Sequence, residues 1–158
     1  MTTIRVFISY STSDGSSLAR NARDILSSRH RAWLWTHDNS LGALLWADIA
    51  DTITRNTDVL LNICTESSAS SIGQRREVNI ALCKNLPVFT IRVDDAEVVP
   101  ELTGEVYSSI ALNRFPQELE RLNEKLPEFL QRRSNLLQPQ HFSSNSSNTV
   151  VQRDQRAR

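Results

Sequence analysis

Glu77 stands in a stretch with helical spacing, with Ser71 six residues before it, and hydroxyl groups close the first apolar segment, Phe7-Ile8-Ser9-Tyr10-Ser11. A carboxylate fixed in a low-dielectric cleft stabilises positive charge that develops beside it, and it accepts charge-assisted hydrogen bonds from hydroxyls. The plain alternative is a solvated helical residue paired with Arg75, Arg76 or Arg55. Trp46 offers a flat face for stacking, or packs as an anchoring aromatic. Tyr10 and Ser11 either contact a polar ligand or tie their loop with structural hydrogen bonds. Ser71 is placed to cap the helix that carries Glu77. His37 and Asp38 lie in a loop and are candidates for substrate or assembly contacts. Several other chemistries lack their motifs. There is no GxGxxG and no GxxxxGK[ST] to cradle a phosphate. His30, His37 and His141 show no metal-ligand spacing, so no metal is expected. No G-x-S-x-G supports a serine nucleophile, and the first strand does not end in paired acids.

These residues must be held by elements, and the elements alternate. Ile4–Ile8 is short, β-branched and aromatic, as a buried strand should be. Residues 14–28 carry Leu18, Ala22, Ile25 and Leu26 at helical spacing, with Ser13 or Asp14 as the expected cap. A strand at 32–35 follows, then a helix marked by Leu44, Leu45, Ile49 and Ile53, then a strand at 58–63. Residues 71–84 read as a third helix with Val78, Ala81 and Leu82 inward. Strands at 87–91 and, more weakly, 106–112 precede a last helix over 118–130, which Pro127 is expected to kink or interrupt. Apolar strands alternating with helices imply a parallel sheet covered on both faces. Right-handed crossovers then give a flavodoxin-like, doubly wound, five-stranded α/β fold. Ligands of such sheets bind beyond the carboxyl ends of the strands, near the reversal of strand order. That places the search at the loops after Ile8, Trp35 and Ile63.

The chain has 158 residues, enough for one domain over 1–131. From Gln131 onward five arginines face one aspartate, a net of +4, which leaves residues 1–130 at −4 and the whole chain at zero. Nothing in that balance points to nucleic acid. Residues 132–158, rich in Ser, Asn and Gln, read as a polar, basic, disordered tail or linker. No apolar run approaches the roughly 20 residues that span a bilayer, and no signal peptide is evident. A cytoplasmic protein without a membrane partner is expected, with Cys64 and Cys83 as reduced, buried thiols.

Phe7-Ile8-Ser9-Tyr10-Ser11 followed by Asp14 resembles the first signature of TIR (Toll/interleukin-1 receptor) domains. Gly42 and Trp46-Ala47-Asp48-Ile49, Asp58-Val59-Leu60-Leu61, then Ser67, Ser71, Glu77-Val78 and Ala81-Leu82 resemble the segments that follow in that family. Pro87-Val88 and Val99-Pro100-Glu101-Leu102 fit its fourth strand and beyond. The resemblance covers residues 4–130. It implies a signalling module whose prokaryotic-type members cleave the nicotinamide–ribose bond of NAD, in immune-type or antiphage responses. The products are nicotinamide and ADP-ribose or a cyclic isomer. NAD enters as substrate and no cofactor is implied. The resemblance puts Glu77 in the catalytic role. Tyr10, Ser11, Asp38, Trp46 and Ser71 become candidate substrate contacts. It further implies self-association through TIR–TIR contacts, and leaves room for other domains or partner proteins beyond the tail. Gly73 stands where many catalytic members carry Trp, and Ser11-Thr12 where some carry Arg. A non-catalytic TIR–TIR adaptor is therefore the alternative.

Overall fold

A computed structural model describes residues 3–34, 43–102 and 108–137. The elements alternate as β1 (Arg5–Ser9), α1 (Ser16–Leu26), β2 (Arg31–Leu34), α2 (Ala43–Arg55), β3 (Val59–Cys64), α3 (Ile72–Cys83), β4 (Val88–Val93), β5 (Ser108–Ile110) and α4 (Phe115–Leu137). The five strands form one parallel sheet in the order β2-β1-β3-β4-β5. This is the flavodoxin-like order, and its reversal falls between β1 and β3.

The strand residues sort by parity onto two apolar layers, because successive side chains of a strand point to opposite faces. Val6, Ile8, Val59, Leu61, Ile63 and Ile91 pack with Ala19, Ala22 and Leu26 of α1 and with Phe115, Leu119, Leu122 and Leu126 of α4. Phe7, Leu60 and Cys64 pack with Ile49 and Ile53 of α2 and Val78 and Ala81 of α3. Both faces of the central strands are thus dry, which is why their sequences are apolar without alternation.

Four expectations change. Neither Ser13 nor Asp14 caps α1. Its N-cap is Gly15, which makes no side-chain cap, and a Cβ there would sit 2.8 Å from the Ser11 carbonyl oxygen. The backbone packs too closely at that point for any larger residue, and Asp14 is drawn to other partners. Pro127 does not interrupt the last helix, which is continuous from Phe115 to Leu137. A proline at this position leaves the Asn123 carbonyl without its helical donor. The ring Nε2 of buried His30 lies 3.0 Å from that oxygen and takes the donor's place. The same helix also runs seven residues beyond the end expected at 130. Finally, only Cys64 is buried. Cys83 is exposed, and both are free thiols. Burial pushes the Cys64 thiol up.

Candidate functional site

The C-terminal ends of the central strands carry a row of polar residues where an apolar one is expected. Register pairs Ser9 of β1 with Asn62 of β3, and Asn62 with Thr90 of β4. All three have the parity of Phe7 and Leu60, so they face α3. All three are buried. Burying such groups is costly unless they are hydrogen-bonded, and α3 supplies the partners. Gln74 donates from Nε2 to Asn62 Oδ1 at 2.7 Å and to the Ile63 carbonyl at 2.8 Å. One turn on, Glu77 Oε2 accepts from Ser9 Oγ at 2.5 Å.

Glu77 is only 3% exposed. A solvated helical carboxylate is therefore not what this chain has. The arginines weighed as its partners are engaged elsewhere. Arg75 pairs with Glu101 at 2.9 Å and Arg55 with Asp51 at 2.9 Å. The Arg76 guanidinium lies 5.1 Å from the centre of the Trp46 ring, a cation–π distance. Burial pushes the Glu77 carboxyl up to about 8, against the pull of the Ser9 hydrogen bond.

The other expected residues fall in three places. Ser71 caps α3, its Oγ accepting from the Gln74 amide at 3.3 Å, and so sets the start of the helix that bears Glu77. Ser11 is buried, with its Oγ 2.6 Å from Ser67 Oγ, and Tyr10 is buried against the α1 layer. Trp46 is half-buried on α2, under Arg76. Asp38 lies outside the described residues. Two contributors were not singled out from the sequence. Ser9 is one; a hydroxyl closing an apolar strand was the available signal. Asp14 is the other. Its Oδ1 accepts from Thr65 Oγ1 at 2.6 Å and from Ser67 Oγ at 2.5 Å, and its Oδ2 from the Ser67 amide at 3.1 Å. Since Ser67 spends its proton on Asp14, Ser11 is the donor to Ser67, and the chain Ser11–Ser67–Asp14 ties the loop after β1 to the loop after β3. Desolvation raises the Asp14 carboxyl, but the hydrogen bonds from Ser67 and Thr65 outweigh it and hold the group below its ordinary value.

Cavities among the described residues include three around this framework. One of about 530 Å³ sits at the C-terminal edge of the sheet among Asp14, Glu66, Asp94, Asp95 and Glu97. Its carboxylates repel an anionic ligand. A second, of about 490 Å³, lies between α2 and α3 over Trp46, Ala50, Arg76 and Ile80. A third, of about 400 Å³, runs along α4 over Phe89 and Phe129. Among the described residues, no group of three or more His, Cys, Asp or Glu is placed to hold a metal ion. Among the same residues, no helix is long and apolar enough to cross a membrane.

Comparison with known proteins agrees with this architecture. The TIR domain of the Toll-related receptor TRR-2 from Hydra magnipapillata superposes with a TM-score of 0.60 at 14% identity, covering 82% of this chain and 99% of that one. Elongation factor SelB from Methanococcus maripaludis shares the fold over a part of its length, with a TM-score of 0.51 at 12% identity, covering 83% of this chain and 34% of that one. No curated protein matches the chain. A family model described as TIR domain matches residues 6–123. That match runs from the first strand into the opening turns of the last helix, and by it the chain belongs to the TIR domain family.

Proposed function

We propose that this TIR domain cleaves the nicotinamide–ribose bond of NAD, with Glu77 as the catalytic carboxylate. The observation that carries the reading is the Glu77 side chain itself, buried beside the β1/β3 reversal and accepting a hydrogen bond from Ser9. Breaking an N-glycosidic bond builds oxocarbenium-like charge on the ribose, and a desolvated carboxylate stabilises that charge strongly. Nicotinamide leaves as a neutral molecule from a cationic precursor, so no general acid is required. One carboxylate suffices where ordinary glycosidases use two. The products are nicotinamide and ADP-ribose or a cyclised form. Assembly with further copies of the domain is the natural trigger. The test is incubation of the concentrated protein with NAD, following nicotinamide by chromatography. Release that Glu77→Ala abolishes supports the reading; equal release from parent and variant sinks it.

The closed setting of Glu77 favours a second reading, a non-catalytic module that recruits other TIR domains. The half-apolar surface of Trp46, Ala50 and Ile80 beside Arg76 supplies a face for it. This reading requires self-association in the presence of unchanged NAD, lost on Trp46→Ala and indifferent to Glu77→Gln.

A further inference from the structure

The polar row across the sheet has a member whose role goes beyond the strand it ends. We infer that Ser9 is the positioning residue of the site: its hydroxyl, on the last residue of β1, fixes where the Glu77 carboxylate stands. The inference rests on the NAD-cleavage reading for its activity readout and adds to it the residue that prepares the acidic group.

Four observations converge on Ser9. Its Oγ and Glu77 Oε2 are 2.5 Å apart across 68 residues of sequence, and both residues are buried. That distance is at the short end for a hydrogen bond between two oxygens. The strand itself has no use for a hydroxyl there. Position 9 shares its parity with Phe7, whose apolar layer would be continued by an aliphatic residue. The helix that brings Glu77 is independently fixed one turn earlier. Ser71 caps it, and Gln74 bonds to Asn62 and to the Ile63 carbonyl. The backbone of Glu77 is thus set by α3 and β3, and Ser9 reaches its carboxyl from a separate element, β1. Finally, Arg75 and Arg55, the cations weighed for this duty, are bound to Glu101 and Asp51.

A preorganised carboxylate costs no reorganisation as charge develops on the sugar, whereas an untethered one must first find its place. Ser9 also donates to the charged form, which favours ionisation of Glu77 against the burial that opposes it. Removing the hydroxyl therefore acts on turnover more than on substrate capture.

The experiment uses the full chain with Ser9→Ala, Ser9→Thr and Thr57→Val. The last deletes a buried hydroxyl that donates to the Thr52 carbonyl at 2.9 Å, at the opposite edge of the sheet. Nicotinamide release gives kcat and KM, and carbon-13 NMR of the glutamate carboxyls gives the titration of Glu77, identified by its absence in Glu77→Gln. Ser9→Ala is expected to lower kcat about 10- to 100-fold, the worth of one hydrogen bond to a charged group, with KM moved less than about threefold. It is also expected to raise the pH at which Glu77 titrates. Ser9→Thr restores both, and Thr57→Val disturbs neither. Should Ser9→Ala fold poorly, Ser9→Cys, close in size and a weak donor, repeats the loss. The inference is overturned if Ser9→Ala leaves kcat and the titration where the parent has them, or if Thr57→Val reproduces its effects. If the parent chain releases no nicotinamide at all, the NAD reading falls on its own. The titration then decides the matter: raised in Ser9→Ala it upholds Ser9, unmoved it refutes it.

Discussion

A carboxyl group pushed up to about 8 by burial makes folding depend on pH in a defined sense. In the unfolded chain Glu77 ionises near 4.5, whereas in the folded chain it holds its proton to about 8. The stabilising contribution of the neutral buried acid is complete below the lower value and is lost as pH rises through the upper one. Wild-type stability, read from urea midpoints, should therefore fall between pH 5 and pH 8.5 relative to Glu77→Gln, which has no proton to lose. At about 1.4 kcal/mol per pKa unit, the difference should reach roughly 2–5 kcal/mol. Asp14 works the other way. It is held low by its hydrogen bonds, so its support is present above the ordinary carboxylate range and fades on acidification. Asp14→Ala removes three acceptor contacts at a largely exposed position and should cost about 1–2 kcal/mol near neutral pH. Hydrogen exchange should speed up in both loops that it joins. The sequence named Glu77 and Ser71 but passed over Ser9 and misassigned Asp14. A cap within one segment can be read from spacing. A bond between residues 68 apart exists only once β1 and α3 have met.

At the scale of elements, every strand and helix expected from hydrophobic periodicity is present, while their ends shifted. The last helix is the clearest case. Its first turns are marked by Leu119, Leu122, Leu126 and Phe129, but the residues from Gln131 to Asn135 that follow are polar and carry no such signal. They stay helical through pairs one turn apart: Arg132 with Glu128 at 2.6 Å, and Gln131 with Asn135 at 3.2 Å. Pro127 is tolerated for a reason that no local reading can supply, since the donor to Asn123 comes from His30, on the turn into β2. A double-mutant cycle tests this. His30→Ala should destabilise the parent more than it destabilises Pro127→Ala, where a backbone N–H is available again to the Asn123 carbonyl. A coupling of about 1 kcal/mol, measured by urea unfolding, is expected. Additivity would mean that His30 does not replace the missing donor. At the start of α3, Ser71→Ala should cost about 1 kcal/mol as an ordinary cap loss. In the catalytic reading it should also lower nicotinamide release, because the cap sets the helix that bears Glu77.

At the scale of the molecule, alternating apolar segments and right-handed crossovers led to a doubly wound parallel sheet, the structure supplies its order with the reversal between β1 and β3, and the polar cluster lies where such sheets gather ligands. What composition could not foretell is that the Glu77 carboxyl is buried. Exposure depends on how tightly α3 seats on the sheet, and that is a property of packing rather than of pattern. The two thiols provide a means of watching that seating. Cys64 is buried at the end of β3 with its thiol pushed up by desolvation, while Cys83 is exposed on the last residue of α3. A maleimide should add to the native protein once and quickly, as mass spectrometry will show, with the second addition waiting on unfolding. A fluorophore or spin label can thus be mounted, without any engineered cysteine, on the very helix that bears Glu77.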